Sequence, residues 1–197
     1  FNEDFYVSHF DGENWSKAQS VSFINSKTNE GAPSLSANGR FLIFTSCADP
    51  VDGYGRDRNG YGSCDLFYTY NIGDNWTNPK NLGKKINSRN WETQPSFSAD
   101  GKMMIFMSWG REDDLGGGDL YISFKKDGKW SKAKNLGPKI NSNQFEYCPM
   151  LSPDGKYFFW TSYRTSNYNS PNPRDYQALE SRLNGTDNGL GNVYWID

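Results

Sequence analysis

The chain has 197 residues, 35% hydrophobic and 22% charged, which excludes a disordered tail and fits one domain or a large piece of one. Its formal charge of -2 offers no basic field for nucleic acid, and no apolar run approaches the roughly 18 residues a membrane helix needs. Aromatic residues reach 16% beside 20 glycines, a balance that suits short strands joined by tight turns.

The first expected strand is Phe5-Tyr-Val-Ser8. A turn at Asp11-Gly12 and a strand opened by Trp15 follow. From Ile24-Asn25-Ser26 onward the chain starts to repeat. Glu30-Gly-Ala-Pro33 leads into Ser34-Leu-Ser36, an Asn38-Gly39 hairpin and the apolar run Phe41-Leu-Ile-Phe44-Thr-Ser46. After a long Gly-rich loop come the strand Asp65-Leu-Phe-Tyr-Thr69, a turn at Gly73-Asp74 and Trp76. The second pass reads Ile86-Asn87-Ser88, Glu92-Thr-Gln-Pro95, Asp100-Gly101, Met103-Met-Ile-Phe106-Met-Ser108 and Asp119-Leu-Tyr-Ile-Ser123. It closes with a turn at Asp127-Gly128 and Trp130. The third reads Ile140-Asn141-Ser142, Glu146-Tyr-Cys-Pro149, Asp154-Gly155, Tyr157-Phe-Phe-Trp160-Thr-Ser162 and, near the end, Asn192-Val-Tyr-Trp-Ile196.

Each unit therefore reads as four strands, A to D. A leads into B through the Asn-Gly or Asp-Gly turn, and the near-continuous apolar B strand suits burial between neighbouring sheets. Four strands per unit of about 40 to 50 residues is the arithmetic of a propeller blade. The pattern Glu-x-x-Pro, Ser-x-Asp-Gly-Lys, an apolar strand ending in Thr-Ser, then Gly-x-Asp-Leu-Tyr resembles the PD40 repeats of TolB-type (WD40-like) β-propellers. The spacer Trp130-Ser-Lys-Ala-Lys-Asn-Leu-Gly-Pro-Lys-Ile-Asn-Ser142 resembles versions found in exported proteins of Gram-negative bacteria, some of them fused to OmpA-like domains. The resemblance spans nearly the whole chain. It implies an all-β propeller and a periplasmic, outer-membrane-associated or secreted location. It says little about activity, because propellers host unrelated functions.

We expect one propeller domain, or its C-terminal portion, over residues 1–197, with blades at 1–18 (partial), 31–80, 93–134 and 147–197. The first lacks strands A and B and the last lacks D, so thirteen strands are expected. Closed propellers have about four to eight blades. Three to four here suggest part of a larger ring, six-bladed for example, completed by preceding sequence; closure by a second chain or an open arc are the alternatives. Residues 166–188 interrupt the last blade. There Pro173 to Leu183 reads as the one short helix, with Tyr176, Leu179 and Leu183 on one face that could cap the channel or meet a partner.

The D-to-A and B-to-C loops share one face of a propeller. Glu30, Glu92 and Glu146 gather there with Arg111 and Arg164, as ion pairs that tie loops together or as a funnel that binds a ligand. In the first full blade Cys47 stands where an Arg is expected. Trp91, Trp109, Phe145 and Tyr163 flank these positions, and Tyr54 and Tyr61 lie on the long loop. Aromatic faces beside charge suit a protein partner or a cell-envelope glycan. A disulfide between Cys47 and Cys64 would tame that loop and requires an oxidising compartment; the exported relatives carry similar Cys-bounded loops. Cys148 reads as a buried, inert thiol.

No cofactor is expected. Asp49, Asp52 and Asp57 are weak Ca²⁺ candidates, as are Asp113 and Asp114 before Gly116-Gly-Gly118. His9 is the sole histidine, so neither a histidine metal site nor a Ser-His-Asp triad can be built from this sequence. The reading favours an exported, non-catalytic binding propeller. The alternative is a glycan-active enzyme, sialidase-, glycosidase- or lyase-like, whose site other blades complete.

Overall fold

The computed structural model describes residues 3–51, 53–55, 58–73, 75–165 and 175–197. Blade 1 is the pair β1 (Tyr6–Val7) and β2 (Gln19–Ser20). Blade 2 runs β3 (Glu30–Leu35), β4 (Phe41–Cys47), β5 (Cys64–Ile72), β6 (Asn75–Trp76) and β7 (Lys80–Asn81). Blade 3 repeats the order as β8 (Trp91–Phe97), β9 (Met103–Trp109), β10 (Asp119–Lys126), β11 (Lys129–Trp130) and β12 (Lys134–Asn135). Blade 4 has β13 (Glu146–Leu151), β14 (Phe158–Ser162), the helix α1 (Tyr176–Leu183) and β15 (Asn192–Ile196). The described residues thus form fifteen strands rather than thirteen, because strand D of blades 2 and 3 breaks into two short pieces.

Pairing within each blade is antiparallel, A to B to C to D. Successive blades touch through a short parallel seam. Cys64 pairs with Trp91, and Gly118 with Phe145. The first bridge merges blades 2 and 3 into one hydrogen-bonded ladder, yet each still packs as a separate four-stranded vane. The A strands β3, β8 and β13 lie side by side. Each bulges at the same place, and its bulged residue has positive φ: Ala32 (50°), Gln94 (53°) and Cys148 (50°). The bulge turns Cys148 outward, so the free thiol is exposed rather than buried.

The cores lie between blades, and they repeat position by position. Ile43, Leu66, Ile86, Phe97, Met104 and Phe106 fill the seam between blades 2 and 3. Ile105, Leu120, Ile140, Leu151, Phe158 and Trp160 take the matching places in the next seam. Trp130 and Ala133 of the first core lie on and just after β11, and no described residue of blade 4 takes their places. A groove of about 250 Å³ lies between blades 3 and 4, lined by Met103, Ile122, Leu136, Leu151, Phe158 and Ile196. The matching Trp15, on blade 1, is 69% exposed.

Asparagine side chains bolt the spacers to strand C. Asn87 accepts from the backbone N–H of Leu66 at 2.9 Å and donates to its carbonyl at 3.0 Å. Asn141 treats Leu120 identically, and Asn25 does the same to Phe5. The Asn in Ile-Asn-Ser is therefore an extra rung of the sheet.

The helix begins at Tyr176, capped by the Asp175 side chain, which accepts from Ala178 N at 2.8 Å. Pro173 lies outside the described residues. No helix residue is buried, and Tyr176, Leu179 and Leu183 are all exposed.

Cys47 and Cys64 are joined as a disulfide between neighbouring strands. Two predictions follow from this packing. Trp130→Ala should cost about 3–5 kcal/mol in urea unfolding, whereas Trp15→Ala should stay within about 0.5 kcal/mol. Thiol titration should find one reactive cysteine per native chain and three after reduction in denaturant.

Candidate functional site

Glu92 opens β8 with its carboxylate fully buried. Such burial is tolerable only if the charge is satisfied. Ser88 supplies its backbone N–H at 2.8 Å and its hydroxyl at 2.6 Å, and Ser108 at the end of β9 donates at 2.8 Å. Arg111 closes the cluster at 2.9 Å, and its Nε donates to Ser108 Oγ at 2.7 Å. Its guanidinium also donates to the Ile86 carbonyl and lies 4.6 Å from the centre of the Tyr121 ring. One carboxylate thus holds the D-to-A loop, strand A, strand B and the B-to-C loop together.

The cluster recurs around Glu146, which accepts from Ser142 N at 2.7 Å, Ser142 Oγ at 2.6 Å and Ser162 Oγ. Arg164 does not pair with this carboxylate directly, contrary to expectation. It donates to Ser162 Oγ at 3.2 Å and to the Ile140 carbonyl, and stacks 4.6 Å from the Tyr194 ring. In blade 2, Glu30 accepts from Ser26 N and Oγ and from Ser46 Oγ. The arginine there is present after all. Arg58, from the long loop, reaches Glu30 at 3.0 Å and donates to the Ile24 carbonyl. Cys47 instead aligns with Trp109, immediately after the buried serine of strand B.

The three glutamates therefore do not line an open funnel. The exposed chemistry at this end of the blades is aromatic. Trp91 and Trp109 face each other across β8 and β9, 6.0 Å apart and 37% and 49% exposed. Tyr147 and Tyr163 stack at 5.6 Å in blade 4, with Phe145 beside Tyr147 at 5.8 Å. The hydrogen bond between the two hydroxyls, helped by burial, pushes Tyr147 up to about 12. Phe145 is half-buried under the Gly117-Gly118 backbone, where a Cβ on Gly118 would stand 2.8 Å from its ring. Tyr54, expected on the surface, is buried against Phe67, while Tyr61 stays exposed beneath the Lys84 ammonium.

The acidic loop residues serve the loops. Asp114 accepts from Arg111 N at 2.9 Å and from Tyr121 OH at 2.7 Å; Asp113 accepts from the same hydroxyl at 2.8 Å. Asp49 accepts from Val51 N at 2.8 Å, and Asp52 and Asp57 lie outside the described residues. Asp65 and Asp119 start their C strands in matching places. Burial pushes both carboxyls above the usual range, opposed by hydrogen bonds from Asn81 and Asn135 respectively and from loop N–H groups. Among the described residues no three His, Cys, Asp or Glu side chains cluster as a metal site would require. His9 is exposed.

Sequence reasoning missed Arg58 and the serines. Ser26, Ser88 and Ser142 stand four residues before their glutamates in every copy, a spacing visible in the repeat. Arg58 gave no signal, because its loop has no counterpart in the other blades.

No protein-family model and no curated protein matches the chain. Solved structures do. TolB of Acinetobacter baumannii is similar at a TM-score of 0.50 and 18% identity, over 82% of this chain and 32% of that one. A puromycin-hydrolyzing peptidase of Mycobacterium tuberculosis follows at 0.45 and 11%, over 80% and 27%. The tricorn protease stands at 0.44 and 16%, over 76% and 12%. The fold is thus a TolB-like β-propeller, and the chain spans about a third of the TolB structure's length.

If the clusters bind the loops as described, Arg111→Ala and Arg58→Ala should each cost about 3–5 kcal/mol, the penalty for stranding a buried charge. Arg164→Ala should cost less, because its carboxylate keeps every direct partner. Urea unfolding of the three variants checks the order.

Proposed function

We propose that this propeller is an exported, non-catalytic binding module whose loop face engages a protein or a cell-envelope glycan through its ring pairs. One observation carries the reading. The three glutamate carboxylates of that face are buried and satisfied, while Trp91, Trp109 and Tyr163 stay exposed on backbone that those same groups hold in place. Rigid exposed aromatics are the usual anchors of recognition surfaces. Glycosidase-like chemistry needs a pair of carboxylates open to the sugar; Glu30, Glu92 and Glu146 are spent on serine and backbone donors. Export is supported by the Cys47–Cys64 disulfide, which persists in oxidising compartments. No helix among the described residues is long and apolar enough to cross a membrane.

The test is a glycan array together with affinity capture from envelope extracts, using the intact chain and a Trp91→Ala/Trp109→Ala variant. Binding should fall by roughly tenfold or more in the variant, with unfolding unchanged. Release of new reducing ends from a bound glycan would show the chain to be an enzyme instead.

A further inference from the structure

Comparing blades separates what packing demands from what it does not. At the start of strand B, Phe41 in blade 2 matches Met103 in blade 3. On strand C, Tyr68 and Tyr70 match Ile122 and Phe124. The fold is satisfied by plain apolar side chains at the last two positions, so it does not ask for the hydroxyls of Tyr68 and Tyr70.

Those three rings wall a groove of about 320 Å³ between blades 2 and 3. Lys84, Lys85, Lys125 and Lys129 stand around it, in a chain whose net charge is -2. No carboxylate among the described residues ion-pairs with any of the four. The Lys125 ammonium is held over the floor, 4.6 Å from the Phe41 ring centre, 5.6 Å from Trp130 and 5.9 Å from Tyr70. Asp100, in an adjoining hollow, accepts from Ser98 and Lys102, and Asp127 sits in the C-to-D turn. The groove lies at the Met103 end of β9, whereas Trp109 lies at the other, so roughly 20 Å separates it from the ring pairs.

We propose that this groove is a second binding site, for an acidic oligosaccharide. Flat tyrosine faces stack against the C–H face of a sugar ring. Lysines are compact point charges on long stems and meet carboxylates spaced along a uronate chain without fixed geometry. A neutral sugar leaves these ammonium groups, two of which rest on rings and one of which donates to the Tyr70 hydroxyl, without a carboxylate partner, and an acidic peptide makes little use of the flat walls.

The experiment titrates the intact chain with trigalacturonate, with maltotriose and hexaglutamate as controls, followed by calorimetry. Trigalacturonate should bind saturably and weaken by roughly tenfold in Lys84→Glu/Lys85→Glu, both exposed positions whose substitution leaves folding intact. It should bind Trp91→Ala/Trp109→Ala unchanged, so the groove and the loop face stand or fall separately. Absence of saturable binding, equal binding of hexaglutamate, or indifference to the lysine reversals would overturn the proposal.

Discussion

Everything at the loop end of these blades depends on a glutamate carboxylate buried where strand A begins. Removing such a charge from water is costly, and it stays only because backbone, serine and in two blades arginine donors surround it. The donors come from four separate stretches of chain, so meeting the charge fixes all four. Strand alternation then does the rest. With Glu92 and Ser108 pointing inward, Trp91 and Trp109 must point out; with Glu146 and Ser162 inward, Tyr147 and Tyr163 must point out. The exposed rings are placed by the sealed charge behind them.

Seams between blades use a different device. Each vane buries its apolar B strand against the next, which gives cohesion but little register. Register comes from the Asn25, Asn87 and Asn141 side chains, which copy a strand's donor and acceptor onto the neighbouring C strand. Asn81 and Asn135 extend the link, each accepting from the next asparagine and donating to Asp65 or Asp119. Polar side chains therefore specify where the apolar surfaces meet.

The architecture was legible because a repeat averages out local ambiguity. Three copies of Ile-Asn-Ser, Glu-x-x-Pro and Asp-Gly or Asn-Gly fixed strand order, and the position of Glu92 at the head of strand A could be read directly. Burial could not. Glu92 in sequence is compatible with a ligand-binding funnel or a sealed clamp, and only the convergence of Ser88, Ser108 and Arg111 decides. Cys148 misled because a strand implies strict alternation, and the bulge at positive φ breaks it. Arg58 was invisible because it performs a repeated task from an unrepeated loop.

That last case shows how function can enter a repeat fold. Blade 2 keeps the clamp around Glu30 yet recruits its arginine from the Cys47–Cys64 loop, which leaves the positions of Trp109 and Arg111 free for a cysteine and an aspartate. The constraint falls on the bond made, not on the residue number that makes it. Positions that recur with one chemistry, such as Glu30, Glu92 and Glu146, are held by the architecture. Positions whose chemistry changes between blades while the backbone does not, such as Tyr70 against Phe124 or Tyr68 against Ile122, are free of it. Recognition can be built only at the second kind, because a side chain already committed to closing a blade has no donor or acceptor left to offer.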